Sequence, residues 1–201
     1  MTVFELFAAL VSAWGVWLTA RRRSWCWPVG LVSVLAYTWV FVDAKLYSDA
    51  LLQLAFAVLI VYGWYRWLQH MGTDGRVEVA ALPPRQAATH ILIGIFGALA
   101  LGLAGALALG YVMHRWTDAA LPWLDAALTA FSLVAQWWQG RRHLAAWWLW
   151  IAVDVIYVGE YVYKHLLITS VLYAGFVGLA VLGLRGWRKA QVLPEPHPAI
   201  G

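Results

Sequence analysis

The sequence predicts an all-α integral membrane protein with seven transmembrane helices in a 3+1+3 parallel-repeat arrangement. Three observations carry that expectation. Of 201 residues, 63% are hydrophobic and 12% charged, and the mean hydropathy is +0.70, more apolar surface than a soluble chain of this size can hide. Apolar runs of spanning length recur seven times along the chain. Displaced by 120 residues, the chain lies on itself without a gap, with 14 identities between residues 10–68 and 130–188.

The runs are Phe4–Ala20, Trp27–Ala44, Ser48–Trp67, Thr89–Met113, Leu121–Trp138, Ala145–Tyr163 and Leu167–Leu184. Each is near the roughly 20 residues a helix needs to cross a bilayer, and none alternates as the strands of a membrane barrel do. The first three runs form one repeat unit, residues 1–68, and the last three form the other, residues 121–188. Matched pairs include Arg21-Arg22 with Arg141-Arg142, Trp27 with Trp147, Tyr37 with Tyr157, Gly63 with Gly183 and Trp67 with Trp187. Residues 69–88, with Gly72, Gly75, Pro83 and Pro84, read as a linker. Residues 89–120 hold an unmatched fourth helix, rich in Gly, Ala and Leu, and an outer loop. Residues 189–201, rich in proline, read as a disordered tail.

Three crossings leave the chain on the far face and the fourth returns it, so the second unit enters in the same orientation as the first. Eleven Lys and Arg residues fall on the side of the odd-numbered loops and the C-terminus. The other side holds Lys45, Arg115 and Lys164. That asymmetry predicts an N-terminus outside and a cytoplasmic C-terminus. Two similar bundles rocking about a site between them suit a transporter.

Enzyme signatures are absent. The chain has no phosphate loop, no His-Glu-x-x-His and no Gly-x-Ser-x-Gly, and its six histidines lack ligand spacing. Cys26 is the sole cysteine, which excludes an intrachain disulfide and a Cys-cluster metal site. No metal, cofactor or nucleic-acid partner is expected. The rivals from other classes are a membrane enzyme and a passive scaffold.

The third run begins Leu46-Tyr47-Ser48-Asp49-Ala50-Leu51-Leu52-Gln53 and ends Tyr62-Gly63-Trp64-Tyr65-Arg66-Trp67. The sixth carries Trp147-Trp148-Leu149-Trp150-Ile151-Ala152-Val153-Asp154, followed by Tyr161-Val162-Tyr163-Lys164. From about Phe4 to Trp187 the chain resembles the PnuC family of bacterial vitamin-precursor transporters. Where family members often carry an Asn before the first Trp of the sixth run, this chain has Ala146. The resemblance implies a SWEET-like fold, a homotrimer in the bacterial inner membrane and uptake of nicotinamide riboside for NAD synthesis. It also implies facilitated diffusion by alternating access, made one-way by a cytoplasmic substrate kinase. Thiamine, or another vitamin, is the alternative cargo on the same fold.

Trp147, Trp150, Asp154, Tyr157 and Tyr161 are spaced three or four apart and share one helical face. Flat rings ending in a carboxylate suit a flat, cationic heteroaromatic. Trp147 fits either that wall or an interfacial belt. Asp154 stands inside a spanning run and must face protein, water or ligand. It either binds substrate or bonds a neighbouring helix. Gln53 and Gln136 are expected as buried amides in apolar runs, suited to recognition of a ribose or carboxamide, or to a bond between helices. Glu160 is expected near water at the outer end.

Overall fold

The computed structural model describes residues 3–43, 47–79, 122–163, 165 and 167–192, together with eight residues between 96 and 111. Six helices are complete: α1 Val3–Ala20, α2 Cys26–Asp43, α3 Tyr47–Leu68, α4 Pro122–Gly140, α5 Ala145–Tyr163 and α6 Leu167–Val192. They are the first three and last three apolar runs. The last helix runs to Val192, so residues 189–192 are helical rather than part of a tail. Of the fourth run, Phe96, Leu99, Ala100, Leu103, Ala104, Leu107, Ala108 and Tyr111 are helical and exposed. Its full extent, and with it the seven-helix count, lies outside the described residues. So do residues 80–88 and 193–201.

The repeat is visible in backbone detail. Helices α1 and α4 end in the same turn: Arg22 N–H bonds Thr19 O and Arg23 N–H bonds Leu18 O, while Arg142 N–H bonds Gln139 O and His143 N–H bonds Trp138 O. This is the nested pairing of a Schellman cap, whose C′ residue is left-handed. Arg22 has φ 60° and Arg142 φ 65°. Beside each turn an arginine sits over a tryptophan ring, Arg21 over Trp17 at 5.0 Å and Arg141 over Trp137 at 4.7 Å.

Each helix neighbours the next in chain order and α6 returns to α1, so the six form a closed ring. The two halves meet through α1 with α6 and α3 with α4. Four fully buried tryptophans, two pairs of repeat mates, fill the ring at the face bearing the arginine turns. Trp27 packs edge-on against Trp67 at 5.2 Å, Trp147 against Trp187 at 5.5 Å, and Trp67 meets Trp187 across the halves at 5.8 Å. The indole of Trp67 donates to Gln139 O and that of Trp187 to Thr19 O, each at 3.0 Å. Each half therefore caps a helix-end carbonyl of the other. Gly63 and Gly183 make room for these rings, since a Cβ at Gly183 would stand 2.5 Å from the Trp147 ring.

The outside of the ring is apolar and the inside carries polar groups, the reverse of a soluble protein. Trp14, Trp39, Val58, Val171 and Leu182 are exposed, whereas Ser33, Ser132, Gln139, Asp154 and Glu160 are buried. Such continuous exposed apolar surface is stable against lipid. By length and hydropathy, Ala145–Tyr163 and Thr169–Gln191 meet the requirement for a span; Phe7–Ala20, Cys26–Trp39 and Leu52–Leu68 are shorter apolar stretches.

Residues 69–79, expected as plain linker, are folded. Met71 and Val77 pair in an antiparallel bridge around a turn at Asp74-Gly75, where Gly75 supplies φ 68°. Val77 is fully buried and joins the core cluster that contains the four tryptophans.

Candidate substrate site

Substrate recognition by a duplicated scaffold needs a place where the halves differ, because a single small molecule has no twofold symmetry. Asp154 on α5 is the sharpest difference; its repeat mate is Val34. The side chain is 6% exposed, and among the described residues no hydrogen bond or ion pair holds it. A buried carboxylate without a partner is costly, which makes a cationic ligand its natural complement.

An aromatic wall stands beside it. Tyr157 and Tyr161, one turn apart on α5, stack at 5.8 Å and an interplanar angle of 15°. Tyr173 of α6 closes on both, at 4.9 Å from Tyr157 and 5.0 Å from Tyr161, and Phe176 meets Tyr173 edge-on at 5.5 Å. Tyr173 lies within electrostatic reach of Asp154. The equivalent places in the first half are Tyr37, Phe41, Gln53 and Phe56, so the hydroxyl-rich trio belongs to one half only.

A second asymmetry lies nearer the tryptophan cluster. The half-buried Trp150 donates its indole N–H to Gln139 Oε1 at 2.7 Å. Their mates are Gly30 and Thr19, which cannot make such a pair. The bond fixes the plane of the Trp150 ring. Gln139→Leu is expected to weaken substrate binding about five- to tenfold, the value of one hydrogen bond lost from a positioned ring. Gln139→Glu, which keeps the acceptor, should retain most of the affinity; calorimetry on the two purified variants measures the difference.

The other residues expected from sequence fall in different settings. Trp147 is 1% exposed and packed in the symmetric cluster against Trp187, so its stripe neighbours reach the asymmetric region while it serves the scaffold. Gln53 on α3 and Gln136 on α4 are half-buried rather than buried. Gln139, one turn beyond Gln136, is the amide that meets Trp150. Glu160 is buried rather than water-facing. Trp148 is 62% exposed, as an interfacial belt residue would be. No group of three or more His, Cys, Asp or Glu residues that would hold a metal occurs among the described residues. Sequence reasoning missed Gln139, Tyr173 and Phe176. The available signals were that Gln139 and Tyr173 break the repeat and that Tyr173 and Phe176 stand one turn apart.

Residues 2–189 match the family described as nicotinamide mononucleotide transporter. The riboflavin/roseoflavin transporter RibM of Streptomyces davaonensis is 28% identical over 188 residues, covering 89% of this chain and 84% of its own length. The nicotinamide riboside transporter PnuC of Escherichia coli is 25% identical over 175 residues, 79% of this chain and 73% of its own. A crystal structure of the vitamin B3 transporter PnuC superposes with a TM-score of 0.69 at 24% identity, covering 92% of this chain and 80% of that one, so the fold is shared. Since the family match runs through both repeat halves, the chain belongs to the nicotinamide mononucleotide transporter family and is a bacterial inner-membrane transporter, not an enzyme.

Proposed function

We propose that this chain carries nicotinamide riboside into the cell. The observation that carries the reading is Asp154, a buried carboxylate without a partner among the described residues, beside three tyrosines, on the half where its repeat mate is valine. Nicotinamide riboside presents a flat pyridinium cation and a polar ribose. The pyridinium stacks on aromatic faces and pairs with the carboxylate, a contact worth about 2 kcal/mol or more when desolvated. Tyrosine hydroxyls and the Gln53, Gln136 and Gln139 amides offer donors and acceptors for the ribose and carboxamide.

A second reading is a riboflavin carrier, favoured by the 28% identity to RibM. The isoalloxazine ring is flat but neutral and would leave Asp154 without a counter-charge, so the cation is the better complement. Thiamine is a cationic alternative on the same fold.

The remaining account follows from the repeat and the family resemblance. The full chain is a seven-helix 3+1+3 carrier of SWEET-like plan, assembled as a homotrimer, with the arginine-bearing face in the cytoplasm. Transport is facilitated diffusion by alternating access, and phosphorylation by a cytoplasmic kinase traps the product for NAD synthesis. Proteoliposomes test it. Labelled nicotinamide riboside should equilibrate across the bilayer without ATP or an ion gradient. Uptake of riboflavin but not nicotinamide riboside would establish the second reading, and accumulation dependent on a gradient would overturn the passive mechanism.

A further inference from the structure

We infer that the hairpin formed by residues 69–79 is a latch that closes the arginine-bearing end of the ring and must detach for that end to open. The latch role rests on the alternating-access reading and not on which substrate is carried. Residues 69–72 open the hairpin, whereas their repeat mates 189–192 continue α6. Yet the hairpin is held by equivalent residues from both halves. From the first half, Arg22 O accepts from Val77 N–H at 3.0 Å and Arg22 Nη1 donates to Val77 O at 3.3 Å. From the second half, Arg142 Nη1 donates to Glu78 O at 3.0 Å. One strand of backbone is therefore pinned to both units that alternating access would move.

The choice of residue at the two turns supports a use for these side chains. Arg22 and Arg142 occupy the left-handed C′ place of a helix cap, where glycine is the least strained residue. Both halves keep arginine there instead. Partial burial draws both guanidinium groups below their ordinary range.

Under the hairpin lies the tryptophan cluster that fills this end of the ring. Val77 is 0% exposed and shares a core with Leu18, Cys26, Trp27, Trp67, Trp147 and Trp187. Its other turn contacts are local: Glu78 N–H bonds His70 O at 3.1 Å and Gly72 N–H bonds Arg76 O at 2.8 Å. The hairpin can therefore leave as a folded unit, exchanging buried Val77, the partly buried Met71 and Val79 and three hydrogen bonds for water. An element held by so few contacts belongs to the low-stability end of a protein, where gates are drawn from.

Cys26, the sole cysteine, is buried in the same cluster and reports on the latch. The experiment compares maleimide labelling rates of Cys26 in the purified, full-length wild type with two variants. Arg22→Gly/Arg142→Gly removes both guanidinium groups while leaving turns that glycine adopts more readily, so the fold is kept. Val77→Asp expels the hairpin by burying a charge. Labelling should rise about tenfold or more in both, the scale set by losing charge-assisted hydrogen bonds. Rates within about twofold of wild type in the glycine variant, with Val77→Asp either equally slow or misfolded, would show the hairpin to be fixed trim and overturn the proposal.

Discussion

Asp154→Asn is expected to cost this transporter nearly all of its substrate affinity while leaving its fold unharmed. The exchange keeps the shape of the side chain, removes the charge and turns one acceptor oxygen into an N–H donor. Deleting one member of a desolvated ion pair costs about 2–5 kcal/mol, roughly a 30-fold to several-thousand-fold rise in Kd. The ligand-free protein should respond in the opposite sense. Asp154 is buried without a partner among the described residues, so replacing it by a neutral amide removes a desolvation penalty. The variant should melt at the same temperature as the wild type or higher. A residue that lowers stability and raises affinity marks a site rather than a scaffold. Calorimetry and a thermal melt on the same preparation read both quantities. Retained affinity would remove Asp154 from the site, and a collapsed melt would make it structural.

Gly183→Ala is expected to have the largest effect on folding. The added methyl would fall 2.5 Å from Cη2 and Cζ2 of Trp147. That ring is 1% exposed and wedged against Trp187, so it has nowhere to go. Overpacking of this kind costs about 1–3 kcal/mol, and more where the neighbour is rigid. The repeat mate, Gly63 beneath Trp27, meets the same obstacle and should behave alike. Gly175→Ala is the control: nothing lies within 4 Å of its added Cβ, and alanine is the better helix former. Fluorescence-detected size exclusion should show Gly183→Ala and Gly63→Ala depleted in the monodisperse peak and Gly175→Ala undiminished. Equal behaviour of all three would mean that the tryptophan cluster is loosely packed.

The scaffold was legible in the sequence because symmetry writes each scaffold position twice. Trp27 with Trp147, Trp67 with Trp187 and Gly63 with Gly183 are identical pairs, and they are the residues that meet at the centre of the ring. Trp147 was nonetheless grouped with Trp150 and Asp154, since all three share a helical face. Its identity with Trp27 was the better guide, because a position matched in both halves serves what both halves need.

The site was harder to read for a physical reason. In a soluble helix the polar face gives the rotation about the axis. A helix packed between lipid and protein is apolar on both sides, and its rotation is then set by neighbours far away in sequence. Gln136 and Gln139 are one turn apart on α4, and nothing local distinguishes them; the Trp150 indole on α5 does. Tyr173 likewise joins Tyr157 and Tyr161 only when α6 is laid against α5. The hairpin was half visible. Its Asp74-Gly75 pair is a turn signal, but the burial of Val77 depends on Arg22 and Arg142, 55 and 65 residues away.

The central claim is that one half of a duplicated scaffold has been fitted with a carboxylate and aromatic wall for a flat cation. Its most direct test is a calorimetric titration of the purified protein with nicotinamide riboside and with riboflavin, repeated on Asp154→Asn. The cation should bind the wild type and be lost in the variant, while riboflavin binds neither appreciably. Riboflavin binding to both proteins alike, with no heat from nicotinamide riboside, would contradict the account.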